Sequence, residues 1–191
     1  MNHFYAFLFR MKYIKRWGLM RSSTSENLEE HTLEAALLAH ALALIRRDVF
    51  GMPCDPERIA AAALFHDAPE ILTGDLPTPV KYMTKELTGA YHQVEAAAQE
   101  KLLSFLPEEL SGSYREIFDD LKKDEIYPII KAADRLAAYI KCIDELKAGN
   151  TEFRRAAVQT RALLDSMDLP ELGYFIREFL PSFELTLDEL E

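Results

Sequence analysis

The longest regular pattern in the chain starts at Asn27 and runs to about Val49, and it can only be a helix. Asn27 is a good N-cap, and Glu30, three residues on, completes a capping box. Alanine and leucine dominate the body of the helix, and Gly51 reads as the stop. The same punctuation recurs downstream. Asp55-Pro56 pairs a cap with a proline at the first helical position. Residues 84–105 carry Leu87, Tyr91, Val94, Ala98 and Leu102 as a stripe, closed by Pro107. Asp124 is placed to cap a helix whose core face is Ile129, Ala132, Ala133, Leu136, Tyr139, Ile140 and Ile143, with Pro128 in its first turns. Gly149-Asn150-Thr151 reads as a C-cap and a fresh N-cap ahead of a helix over 152–167. Asp168, Pro170 and Glu171 open another, to about Leu180. A short amphipathic helix over 3–14 and an exposed acidic one over 113–122 complete the set. No repeat and no alternating strand pattern interrupts it, so the fold expected is an all-α, single-domain helical bundle over 1–191.

Composition limits the function. With 191 residues, 49% hydrophobic and 28% charged, the chain can bury a sizeable core and is expected to be soluble. A net charge of −10 argues against a nucleic-acid surface, though not against a small anion held by a local cation. The acidic clusters 107–120 and 184–191 read as solvated faces. Cys54 and Cys142 show no CxxC spacing, and the aromatic N-terminus is interrupted by Arg10 and Lys12. A cytoplasmic protein with reduced thiols and no membrane span is expected.

The chemistry gathers after the helix opened by Pro56. That helix is expected to present His66 and Asp67, an imidazole and a carboxylate that suit a borderline divalent metal, with Glu70 one turn on. Gly74, Pro77 and Pro79 then force an irregular loop carrying Asp75, Thr78 and Lys81. Asp134 lies inside an apolar helical run, where a carboxylate is costly unless paired with a cation or a metal. Arg135 and Lys131 neighbour it in sequence but are expected to point elsewhere, which favours a metal. His31 alone would be an ordinary first-turn residue; with these partners downstream it becomes a candidate ligand. Arg16, alone a solvated charge, becomes a phosphate fork beside such a site.

His31, the pair His66-Asp67, and Asp134 give the ordered pattern H…HD…D, and with it the sequence resembles the HD-domain metal-dependent phosphohydrolases. Five further stretches are similar to a narrower group, the bacterial HD-domain 5′-deoxynucleotidases of the YfbR type. They are Lys15-Arg16-Trp17, Glu29-Glu30-His31-Thr32, Phe65-His66-Asp67-Ala68-Pro69-Glu70, the run Thr73 to Lys81, and Lys131 to Asp134. Tyr139 to Cys142 and the tail Pro181 to Asp188 are similar as well. The resemblance implies a homodimer that removes phosphate from deoxyribonucleoside 5′-monophosphates with one divalent ion, cobalt or manganese foremost. It implies His31, His66, Asp67 and Asp134 as ligands and Arg16 as the phosphate contact, with Trp17 shaping the pocket. Asp75, Leu76, Pro77 and Thr78 are implied as the nucleotide loop, Asp75 at the sugar, and Glu70 as necessary for the chemical step.

Metal-activated water attacking phosphorus would still use a base, and Glu70 is the candidate for that role. Asp75 either binds the sugar hydroxyl or relays a proton to the leaving oxygen. Lys81 is either a contact to phosphate or sugar, or a solvated lysine. Other readings remain: an HD enzyme for cyclic or polyphosphorylated nucleotides, or a non-catalytic helical module with a structural metal.

Overall fold

A computed structural model of the chain describes residues 1–81 and 83–190. The helices are α1 (Phe4–Leu8), α2 (Leu28–Leu44), α3 (Pro56–Ala63), α4 (Glu70–Thr73), α5 (Thr78–Lys81), α6 (Lys85–Leu103), α7 (Glu108–Asp120), α8 (Tyr127–Lys147), α9 (Arg154–Asp165) and α10 (Pro170–Glu178). Among the described residues there is no strand, only an isolated bridge between Lys15 and Asn27. No described helix is long and apolar enough to cross a membrane.

α2 is the axis of the molecule. Its capping box forms as the sequence predicts: the Asn27 side chain accepts from the backbone N–H of Glu29 and Glu30, and Glu30 reaches back to the Asn27 N–H. Past Leu44 the helix widens into a π-turn, Ile45–Val49, and Gly51 turns the chain at φ 64°. α3 and α8 pack along α2. Alanines make this possible, because Ala36, Ala39 and Ala43 of α2 share one buried cluster with Ala62 and Ala63 of α3 and Ala132, Ala133 and Ala137 of α8. Small side chains let helix backbones approach closely, and Leu42, Ile59, Ile129 and Leu136 fill the space between. A second apolar cluster, around Phe4, Leu102, Leu103 and Phe118, joins α1, α6 and α7.

Several local expectations are corrected. The 3–14 segment is not one helix: α1 ends at Leu8 and the chain tightens into a 3₁₀ turn at Met11–Tyr13, which lets Phe4 and Met11 both reach the interior. Asp124 and Asp168 cap nothing; Ile126 and Leu169 hold those positions, without side-chain bonds. Glu171 is buried and takes a bond from Arg46 at 2.9 Å instead. In α6, Leu87 and Val94 are exposed, because the face turned to the rest of the molecule is that of Tyr91, Ala98, Leu102 and Leu103. The acidic helix starts earlier than expected, and it is not wholly exposed. Its Phe118 is buried, and Asp120 is buried against the Arg58 fork at 2.6 and 2.7 Å. The tail 184–190 is exposed, as expected; Glu191 lies outside the described residues.

A buried polar staple fastens the 21–26 loop to α8. Glu145 accepts from Lys141 Nζ at 2.5 Å, from the Ser23 N–H at 2.8 Å and from Asn150 Nδ2 at 2.7 Å. Burial alone would raise its proton affinity, but these donors outweigh it and hold the carboxyl well below the ordinary range. A depressed folded-state pKa gives stability that is present above the unfolded value, about 4.3, and lost as pH falls toward the folded value. Glu145→Gln is therefore expected to cost about 3 kcal/mol at neutral pH by stranding Lys141. The difference from wild type should shrink on acidification, which urea midpoints at neutral and acid pH will show.

Candidate active site

The N-terminus of α2, the turn after α3 and the middle of α8 converge at one end of the alanine-lined core. His31, in the first turn of α2, is fully buried. His66 and Asp67 do not lie on α3 as expected but just beyond it, because the chain winds into successive i→i+3 turns. Phe65 bonds back to Ala62, His66 to Ala63, Ala68 to Phe65 and Glu70 to Asp67. This tighter winding turns both side chains inward.

Four expected ligands meet there. His31 Nε2 lies 3.3 Å from Asp134 Oδ1 and 3.6 Å from Asp67 Oδ2. His66 Nε2 lies 3.1 Å from Asp67 Oδ2, and the two imidazoles are 5.4 Å apart. Donor atoms of His31, His66 and Asp134 all fall within 4.8 Å of one another. The His66 Nδ1–H donates to the Ala63 carbonyl at 2.7 Å, so Nε2 carries the lone pair. Both Nε2 atoms are buried with no hydrogen-bond partner. Two imidazole lone pairs and two carboxylates around one space are a donor set that a divalent cation completes, so these residues fit the implied metal.

Asp134 corrects the choice between salt bridge and metal. Lys131 and Asp134 are one turn apart on α8, so they do meet, with Lys131 Nζ donating to Oδ2 at 2.6 Å. Oδ1 is left facing His31. The salt bridge orients the carboxylate and is no alternative to the site. Burial would raise the Asp134 proton affinity, but Lys131 and His31 hold it well below the usual range. Asp67 is likewise depressed, burial being outweighed by His66 and His31. For His31, burial and Arg16 lower the value, yet Asp134 and Glu26 outweigh them and push it up to about 9.

Arg16 reaches the site from the N-terminal segment, its Nη1 3.6 Å from Asp67 Oδ2. Glu70, at the start of α4, is buried with Oε2 unpartnered; burial first, then the charges of Asp67 and Asp75, push it up to about 9. Asp75 is half-buried in the loop and close enough to be shifted upward by burial, despite an opposing pull from Arg16. Leu76 and Pro77 are half-buried beside it, and Thr78 is exposed. Lys81 is engaged by α6, its ammonium bonding Glu95 at 2.7 Å and lying over the Tyr91 ring, within electrostatic reach of Glu70. Trp17 packs on Phe153. The sequence reading missed Glu26, which touches Trp17, Arg16 and His31 from a stretch that looks like an ordinary polar loop.

Comparisons with known proteins define first the class. An HD-domain phosphohydrolase from Listeria innocua aligns with a TM-score of 0.83 at 22% identity, covering 95% of this chain and 88% of that one. An HD phosphohydrolase of cyanophage S-2L, solved with dA and one catalytic Zn²⁺ ion, aligns with a TM-score of 0.66 at 22% identity, covering 95% and 96%. The fold is that of the HD phosphohydrolases. At sequence level, a 5′-deoxynucleotidase of Vibrio vulnificus is 50% identical over 190 residues, 99% of this chain and 98% of the relative. The 5′-deoxynucleotidase YfbR of Escherichia coli is 46% identical over 190 residues, 99% and 96%. The profile of the family described as 5′-deoxynucleotidase YfbR-like matches residues 3–183, and the chain belongs to that family.

A cation that binds only the folded chain at 100 times its Kd adds about 2.7 kcal/mol, which raises Tm by roughly 5–10 °C in a protein of this size. Manganese or cobalt should produce that shift in the wild type and not in His66→Ala, as followed by differential scanning calorimetry.

Proposed function

We propose that this chain hydrolyses deoxyribonucleoside 5′-monophosphates to deoxynucleoside and phosphate, using one divalent metal ion. The observation that carries the reading is the placement of the Arg16 guanidinium beside Asp67 and the two unpartnered imidazole nitrogens: a phosphate fork next to a cation seat. The named activity of full-length relatives supports the same substrate class. Charge supports a single phosphoryl group over a chain of them. Carboxylates engage all three cations near the site, Lys131 and Lys81 tightly at 2.6 and 2.7 Å and Arg16 more loosely at 3.4 and 3.6 Å, which makes Arg16 the readiest to turn to substrate. Homodimeric assembly and a cytoplasmic location belong to the reading through the family resemblance.

His31, His66, Asp67 and Asp134 would hold the ion, which when bound supplies Lewis acidity and offsets phosphate charge. Cobalt or manganese is the expected metal. Arg16 holds two non-bridging phosphate oxygens and follows the charge that builds on them in the transition state. Glu70 takes a proton from the attacking water as the new P–O bond forms. Burial and the charges of Asp67 and Asp75 hold its proton affinity high, at about 9, and a cation beside Asp67 would bring it down toward the working range of a base. The P–O5′ bond breaks, and Asp75, whose carboxyl is raised by burial, returns a proton to the leaving oxygen. Trp17, Leu76, Pro77 and Thr78 wall the pocket for sugar and base.

The test is phosphate release from metal-stripped protein resupplied with manganese, cobalt, magnesium or zinc. The panel holds deoxy- and ribonucleoside 5′-monophosphates, 3′-monophosphates, triphosphates and a cyclic dinucleotide. Release from 5′-deoxymonophosphates is expected; turnover confined to triphosphates or the cyclic dinucleotide would favour the other HD chemistries. Arg16→Ala should reduce kcat/KM by about 10²–10³. Glu70→Gln should lower kcat by about 10²–10⁴ while metal affinity, read by calorimetric titration, stays near wild type.

A further inference from the structure

Glu26 is a buried acid, 8% exposed, that belongs to none of the roles assigned above. It lies at the end of a polar Ser/Thr loop, immediately before the N-cap of α2. Two backbone bonds lay that stretch against the N-terminal segment: the Leu28 N–H donates to the Ile14 carbonyl at 2.9 Å, and the Arg16 N–H to the Glu26 carbonyl at 3.1 Å. The Glu26 side chain is thereby enclosed between the two halves of the site.

Its two oxygens divide the work. Oε2 accepts from the Trp17 indole N–H at 2.6 Å. Oε1 is almost equidistant from Arg16 Nε, at 3.4 Å, and His31 Nδ1, at 3.5 Å. Trp17 needs such a hold. It has a φ of 59°, the sole non-glycine at positive φ among the described residues, a conformation that costs an L-residue roughly 1–2 kcal/mol. The indole is fixed by this bond and by the tilted ring of Phe153, whose centroid lies 5.1 Å away. With Nδ1 turned to a carboxylate, the His31 ring is set so that Nε2 faces Asp67 and Asp134. With Nε turned to the same carboxylate, Arg16 sends the rest of its fork toward Asp67.

We propose that Glu26 is a positioning residue that couples the metal half of the site to the phosphate half, one carboxylate setting both the His31 ring and the Arg16-Trp17 turn. The proposal rests on the roles given to His31 and Arg16 under the nucleotidase reading. Glu26 touches neither ion nor substrate. Its loss should weaken metal binding and substrate binding together and act less on the chemical step.

The experiment uses the full chain with manganese as the probe, read by calorimetric titration without substrate, and the emission of Trp17, the chain's one tryptophan. Glu26→Gln keeps an acceptor for the indole but removes the charge; it should lose about 10–100-fold in manganese affinity. At saturating manganese its KM for dAMP should rise more than its kcat falls, and Glu26→Asp should recover part of both. Trp17→Phe, which keeps the ring and deletes the N–H, covers the case in which Glu26→Gln fails to fold. Although Trp17 contacts none of the four ligands, that change should weaken manganese binding by on the order of 3–30-fold. Wild-type manganese affinity in Glu26→Gln, or in Trp17→Phe where Glu26→Gln does not fold, overturns the proposal. A wild-type chain that binds manganese but releases no phosphate from dAMP overturns the nucleotidase reading, while the manganese titrations still decide Glu26. A wild-type chain that binds no manganese overturns both.

Discussion

The structure depends on a costly arrangement: two imidazoles and several carboxylates gathered inside a helical core. Buried ionisable groups are tolerated only when opposite charges or hydrogen bonds replace water. Here that replacement is incomplete by design of the fold. Lys131 pairs with the outer oxygen of Asp134 and the Glu26 carboxylate lies 3.5 Å from the outer nitrogen of His31, while Nε2 of His31 and of His66 stay without partners. Two unpartnered imidazole nitrogens and two carboxylates around one space are a donor set that suits a cation. The alanine contacts among α2, α3 and α8 carry no chemistry themselves; they bring three backbones close enough for the cluster to form.

Arg16 shows how the fold ties a distant segment to that cluster. The guanidinium comes from a short N-terminal stretch with little regular structure, held by two backbone bonds to the start of α2. The Arg16 guanidinium and the His31 imidazole are thus tied together at the N-terminal end of a single helix. The Lys81 ammonium, by contrast, is spent on Glu95 and Tyr91, and its bond fastens the loop carrying Asp75 to α6.

The sequence announced the helices with strong local punctuation, and Asn27 with Glu30 and Asp55 with Pro56 formed as read, whereas Asn150 caps a 3₁₀ turn at Thr151–Phe153 and α9 follows it only from Arg154. It misled where tertiary contacts choose among weak local preferences. Asp124 and Asp168 look like caps, but the caps fall two residues later at Ile126 and one residue later at Leu169. His66 and Asp67 were legible as a pair, whereas their place in a 3₁₀-wound turn, not on α3, depends on contacts no spacing rule encodes. The Lys131–Asp134 pair was within reach, since i,i+3 positions adjoin on a helix. Glu26 was not. A lone glutamate in a Ser/Thr loop carries the local signature of a solvated charge, and only the bridge from Lys15 to Asn27 buries it.

The most direct measurement of the central claim is a crystal structure of the manganese-loaded chain with inorganic phosphate, using the anomalous signal of the metal. One strong peak per chain is expected between His31, His66, Asp67 and Asp134, with phosphate density on Arg16. A peak elsewhere, for instance at the acidic surface of Glu30, Glu34 and Asp144, with the two imidazole nitrogens unligated, would contradict it.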